Sequence, residues 1–361
     1  MRITLLSLLL IVLFVTTKAQ PPANYYSTAT GKIGAELKTA LYNIIKGHTS
    51  LNYGDLWTAF KTTDQKANGK VWDMYSNCDY TFVTNQCGNY SGECVENGGC
   101  YNREHSWPKS WFGGEVAPMY TDLFHLVPTD GYVNNRRSNF PFGEVSNPTY
   151  TSGNGSKLGS CSAPGYTGIV FEPINEYKGD FARNYFYMAT RYENIISSWH
   201  SNESNAEAIL QPNSFPVFET WFVNLLLKWS TNDPVSQKET ARNNAVYAIQ
   251  HNRNPFIDHP EYANMIWGTN AGITDEHSQV ALQVYPNPAS ENCTVTLPPE
   301  FTQQNNTFVV YSSTGLPVSA TLTITGDKAN LNLERLPSGF YLVKLSLPNS
   351  HTSYQARIIK K

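Results

Sequence analysis

The sequence predicts an α+β chain, with a mixed α/β domain over residues 20–268 followed by a small all-β sandwich over residues 279–361. Three observations carry that division. Before residue 268, apolar residues recur at three-and-four spacing in several stretches, the mark of helices with one buried face. Beyond it come short β-type runs at 280–284, 293–297, 307–311, 320–324, 329–333, 340–345 and 354–359, separated by turn signals such as Pro286-Asn287-Pro288 and Pro337-Ser338-Gly339. Between the two regimes, the polar stretch 269–278 reads as a linker.

Residues 1–19 open the chain as an export signal: Arg2 gives the positive start, residues 3–15 are almost wholly apolar, and Thr17-Lys18-Ala19 suits a signal peptidase. The apolar run falls short of the about 20 residues a spanning helix needs. Cleavage is therefore expected rather than an uncleaved anchor, giving a secreted protein without a stable membrane span.

Residues 33–46 place Ile33, Leu37, Leu41, Ile44 and Ile45 on one helical stripe, stopped by Gly47. Residues 50–100 are irregular and rich in Gly and Asn, with a short strand expected near 71–74. Cys78, Cys87, Cys94 and Cys100 crowd into this segment without the Cys-x-x-Cys knuckles of a zinc site. Disulfides pinning a core-poor loop are expected there, the pairing left open. Cys161 either joins them or stays apart, and Cys293 reads as unpaired.

Residues 101–170 read as loops and short strands. Helices return with Phe181, Tyr185, Met188, Tyr192 and Ile195, taken as capped by Asp180, and then with Phe218, Trp221, Phe222, Leu225 and Trp229. A third starts at the capping box of Ser236 and Glu239. These aromatic stripes read as core rather than binding surface.

A formal net charge of −3 counts against a protein that coats nucleic acid by charge alone. It leaves room for an enzyme whose metal ion supplies positive charge locally. Groups able to bind metal, move protons and hold phosphate concentrate in residues 101–108 and 121–140. Phosphodiester hydrolysis needs a base for water, a cation against the phosphoryl oxygens and donors that hold the phosphate in line. Histidine suits the first role, and a carboxylate with an amide oxygen suits Mg2+. Adjacent Glu104 and His105 point to opposite faces of a strand, so they serve one site only where the strand ends or bends, as Pro108 allows.

Four blocks in order resemble the bacterial endonuclease I family: Asn102-Arg103-Glu104-His105-Ser106-Trp107-Pro108, then Asp122-Leu123-Phe124-His125-Leu126-Val127-Pro128-Thr129-Asp130-Gly131-Tyr132-Val133-Asn134, then Phe171-Glu172-Pro173 leading to Arg183, and Asn252-Arg253-Asn254-Pro255-Phe256-Ile257-Asp258. The resemblance implies a ββα-metal, or His-Me finger, core inside a mixed fold. It also implies non-specific cutting of DNA, and often RNA, by a one-metal mechanism that leaves 5′-phosphate ends. Position by position, His105 matches the general base, Glu104 one metal ligand and Asn134 the other, with Asn135 the alternative if the match slips by one residue. Arg137 and Arg183 match positions that could hold the substrate phosphate, while His125 and Asp122 read as structural. The implied cofactor is Mg2+, or another divalent cation such as Mn2+ or Ca2+, and the expected state is a monomer.

Val284-Tyr285-Pro286-Asn287-Pro288-Ala289, Leu336-Pro337-Ser338-Gly339-Phe340-Tyr341 and the final Lys360-Lys361 resemble a C-terminal sorting domain of type IX secretion. That implies passage through the type IX machinery to the cell surface or beyond. A glycan-binding adhesin is the rival class, opposed by intact Glu104, His105 and Asn134. The chain lacks the His-Glu-x-x-His of a zinc peptidase.

Overall fold

Leu37, Leu41 and Ile45 lie one turn apart, and burying that stripe makes Gly34–Ile45 the first helix, α1. The computed structural model describes residues 21–268, 279–298, 301, 307–312, 316–346 and 353–361. The expected export signal and the linker at 269–278 lie outside the described residues. Two compact units, Met1–Ala271 and Gly272–Lys361, each carry a core of their own.

In the first unit, α2 (Leu56–Thr63) buries Leu56, Ala59, Phe60 and Thr63 on one side. The strand expected near 71–74 does not form. Val71 makes only an isolated bridge to Gln65, and the Asp73 carboxylate accepts from the Tyr75 amide at 2.8 Å, turning the chain. The segment that follows is held by disulfides Cys78–Cys94 and Cys87–Cys100, whereas Cys161 and Cys293 are free thiols.

The next three elements position the site. Strands β1 (Tyr101–His105) and β2 (Leu126–Asp130) pair antiparallel, with Glu104 opposite Val127 and His105 opposite Leu126. Helix α3 (Gly131–Arg137) starts directly from β2. Asp130 makes that corner: Oδ1 accepts from the amides of Tyr132 (2.8 Å) and Val133 (3.0 Å), capping the helix. Its Oδ2 accepts from the Cys94 amide at 3.0 Å, so the disulfide loop braces the start of α3. A Cβ on Gly131 would lie 2.6 Å from the Cys87 sulfur, and only glycine permits that approach.

Strands β3 (Val145–Thr151), β4 (Lys157–Cys161) and β5 (Ile169–Glu172) form an antiparallel sheet. Helix α4 (Asn175–Arg191) is buried on nearly every side and is the central helix of the unit. It begins at Asn175, so Asp180 is not its cap. That carboxylate sits inside the helix, buried, 2.6 Å from the Lys238 ammonium. Helices α5 (Ser204–Glu207), α6 (Thr220–Asn232), α7 (Gln237–Gln250), α8 (Pro255–Asp258) and α9 (Glu261–Trp267) complete the unit, with α1, α6 and α8 packing on α4. The capping box opening α7 is present, Ser236 Oγ accepting from the Glu239 amide at 3.1 Å.

The second unit is built from β6 (Gln279–Ala281), β7 (Val284–Tyr285), β8 (Asn292–Thr296), β9 (Thr307–Ser312), β10 (Pro317–Val318), β11 (Thr321–Thr325), β12 (Lys328–Asn332), β13 (Gly339–Ser346) and β14 (Ser353–Lys360). They form one sheet in the order β10-β9-β13-β14-β6 and another in the order β11-β12-β8-β7, all antiparallel except β6 beside β14. The run at 280–284 is split between two strands, and β10 is an addition. Alternate residues such as Val295, Ala329, Leu331, Val343, Leu345 and Ile358 point inward to one core.

Candidate active site

Strand alternation places Asn102 and Glu104 on one face of β1, and Arg103 and His105 on the other. His105 is the last residue of the strand and only 8% exposed. Its Nε2 lies 3.1 Å from the Tyr120 carbonyl oxygen. A carbonyl can only accept, so Nε2 carries the proton and Nδ1 keeps the lone pair. Burial, and then the neighbouring His125, hold the His105 pKa well below its usual value, so the ring is neutral at neutral pH. His125 is fully buried and donates from Nε2 to the Met119 carbonyl at 2.7 Å, a structural contact.

Glu104 is buried on the opposite face. Its Oε1 accepts from the Tyr75 hydroxyl at 2.8 Å and lies 3.1 Å from Arg137 Nη1. Burial raises its pKa to about 7, against the opposing pull of Arg137. Asn134 reaches the same face from α3, its Nδ2 donating to Asn102 Oδ1 at 2.6 Å. Asn135, about 100° further round the helix, is exposed.

The two arginines expected at the substrate phosphate are turned inward instead. Arg137 is 1% exposed and donates to the carbonyls of His105 (3.0 Å) and Ser106 (2.5 Å) besides pairing with Glu104. It is a strut that fixes the end of β1, helped by the Tyr185 hydroxyl, which donates to the Ser106 carbonyl at 2.9 Å. Arg183 is fully buried, paired through Nε and Nη2 with Glu239 at 2.5 and 2.8 Å, and donates from Nη1 to the Asp233 carbonyl at 2.9 Å. Neither guanidinium is open to a phosphate. Asp122 is likewise a hub, accepting from the hydroxyls of Tyr187 and Tyr192 at 2.8 Å each.

Among the described residues, no group of three or more His, Cys, Asp or Glu side chains could hold a metal ion. Glu104 with the amide oxygens nearby fits another kind of site. An all-oxygen donor set with one carboxylate suits a hard divalent cation that keeps most of its waters. A cation there would also stabilise a carboxylate that burial has left poorly solvated. Asn102, which opens the first family block and is given no role there, joins this face because it lies two residues before Glu104 on the strand.

Residues 33–261 match the family described as Endonuclease I, and residues 283–361 match the secretion system C-terminal sorting domain. An extracellular ribonuclease of Bacillus amyloliquefaciens is 40% identical over 258 residues, covering 70% of this chain and 81% of its own. An extracellular ribonuclease of Bacillus subtilis (strain 168) is 39% identical over 248 residues, covering 67% and 78%. An Endonuclease-1 of Buchnera aphidicola subsp. Baizongia pistaciae is 27% identical over 169 residues, covering 46% and 56%.

Proposed function

The chain belongs to the endonuclease I family, and from that membership we propose that it hydrolyses phosphodiester bonds of DNA and RNA with one divalent cation, Mg2+ or a substitute such as Mn2+, leaving 5′-phosphate ends. As a family member it is a nuclease, and the sorting domain with the extracellular relatives makes it a secreted or cell-surface one that uses the type IX machinery. Among the described residues, no helix is long and apolar enough to cross a membrane. RNA enters the reading because the relatives from Bacillus are named ribonucleases.

In this reading Glu104 and the amide oxygen of Asn134 hold the cation, which when bound offsets charge on the scissile phosphate. His105 takes the proton of the attacking water on Nδ1. The Tyr120 carbonyl keeps the proton on Nε2 and so fixes the tautomer. Arg137 keeps the strand end and the Glu104 carboxylate in register through three contacts. The observation that carries the proposal is the neutral, carbonyl-anchored His105 directly after Glu104 at the end of β1, with Asn134 of α3 tied to the Glu104 face.

Cleavage assays on plasmid DNA and an unstructured RNA test this. Both substrates should be cut in Mg2+ and spared in EDTA, and His105→Ala should cut about 10²–10⁴-fold more slowly. Full activity in EDTA, or undiminished cutting by His105→Ala, would overturn the mechanism. Deleting residues 279–361 should spare cleavage and stop export.

A further inference from the structure

Beside His105 lies an aromatic layer that water activation alone does not require. Tyr53, Tyr120 and His105 are near-parallel, with ring centroids 4.3 Å apart for Tyr53–Tyr120, 5.2 Å for Tyr120–His105 and 6.2 Å for Tyr53–His105. Were Tyr53 and His105 on opposite faces of Tyr120, two van der Waals layers would hold them at least about 7 Å apart. At 6.2 Å they sit side by side on one face.

The other face of Tyr120 is turned away from both. Over the Tyr120 ring, 5.3 Å from its centroid, lies the ammonium of Lys109, a side chain 46% exposed. The layer behind is stiff: the Arg103 guanidinium lies 3.5 Å over Tyr53 and 4.3 Å over Trp57, and donates to the Tyr53 carbonyl at 2.8 Å. Tyr53 is thus covered on both faces, by Arg103 and by Tyr120. Tyr120 is half-buried and keeps a face that no other described ring or guanidinium takes.

We propose that this outer face of Tyr120 stacks one unpaired nucleobase beside the scissile phosphate, with Lys109 meeting the adjoining phosphate. The inference rests on the nuclease reading and adds a preference within it, for single-stranded or locally unpaired strands over intact duplex. Stacking on an aromatic ring tolerates any sequence, but it is open only to a base not already stacked within a duplex. The residue whose ring would take the base also holds the general base through its carbonyl, at 3.1 Å. A base stacked there would lie across the Tyr120 ring from His105, so the phosphate of that nucleotide or its neighbour is the one offered to the activated water. Besides its contact with the Tyr120 ring, Lys109 makes an exposed pair with Glu115 at 2.9 Å, a weak contact that a phosphate can replace.

Two measurements on the full mature protein test this. In EDTA, where no cutting occurs, a single-stranded oligonucleotide carrying 2-aminopurine should be quenched on binding, and the same sequence as a duplex should not. The quench should be lost in Tyr120→Leu and kept in Tyr120→Phe. In Mg2+, the wild type should cut beside a normal base about 5- to 100-fold faster than beside an abasic position, as the strength of base–aromatic stacking implies. That ratio should fall to near one in Tyr120→Leu and survive in Tyr120→Phe. Equal cutting of base-bearing and abasic strands by the wild type, or an unchanged ratio in Tyr120→Leu, overturns the stacking site and leaves the nuclease reading standing. No cutting of either strand overturns the nuclease reading itself. Should Tyr120→Leu not fold, the contrast between strand and duplex in the wild-type quench still decides.

Discussion

The two units bury different kinds of residue. In the first, Glu104, Asp122, His125, Arg137, Arg183, Glu239 and Arg253 are all withdrawn from water. In the second, the buried residues among those described are Ala, Cys, Val, Leu, Ile and Tyr. Burying a charge costs several kcal/mol unless it is paired, so a fold that needs only stability does without it. The sandwich is such a fold, in keeping with a sorting domain. In the first unit some of the buried polar groups pair within the helical core, as Arg183 does with Glu239, and others frame the candidate site. Arg137 and Tyr75 hold Glu104, the Tyr120 carbonyl holds His105, and Asp130 with the disulfide loop sets the start of α3.

Breaking the polar groups around Glu104 and His105 should therefore cost function, whereas breaking the apolar core of the sandwich should cost stability alone. The largest effect expected is on cleavage: Glu104→Ala should lower the rate about 10²–10³-fold at a fixed Mg2+ concentration, as loss of a main electrostatic contact does. Kinetics over a Mg2+ series would show whether higher metal recovers part of that loss.

Arg137→Met removes one partner of a buried pair and should destabilise the first unit by about 3–5 kcal/mol while also slowing cleavage. Denaturant unfolding monitored beside activity would expose a strut with no catalytic consequence. In the second unit, Leu345→Ala should cost about 2–5 kcal/mol in the sandwich transition and leave cleavage unchanged. Slower cutting by that variant would show that the sandwich takes part in catalysis.

The smallest effect should be a gain. Lys38 is buried 3.4 Å from Glu193, and burial lowers its pKa to about 8. Between about pH 8 and 10.5 the folded chain has released this proton and the unfolded chain still holds it, so stability rises with pH across that window. Below it the full cost of the buried charge remains. Lys38→Met should accordingly add on the order of 1–3 kcal/mol at pH 7, a gain that fades toward pH 10.5. A pH series of unfolding curves for the two proteins would check this, and a loss at pH 7 would mean that the pair with Glu193 outweighs the burial.

Local pattern made much of the fold legible. Stripes such as Leu37, Leu41 and Ile45 fix a helix whatever surrounds them, and the alternating runs of the sandwich are equally self-contained. The misses are places where a distant partner decides. Asp180 reads as a cap until its partner, Lys238 on another helix, is known. Residues 56–63 are too short a run to announce a helix, and they form one by packing Leu56 and Phe60 into the core. Arg137 and Arg183 offer cations in the sequence, but the backbone carbonyls and carboxylates that consume them come from elsewhere in the chain. The pairing of the four clustered cysteines was open for the same reason.

The cation site is the centre of the account, and Mn2+ binding followed by electron paramagnetic resonance in the His105→Ala background tests it without relying on turnover. One tight Mn2+ per chain is expected. Adding Glu104→Ala should weaken binding about 10-fold or more, adding Asn134→Ala should weaken it less, and adding Asn135→Ala should leave it unchanged. Binding of Mn2+ to the Glu104→Ala protein as tight as to its parent would contradict the account.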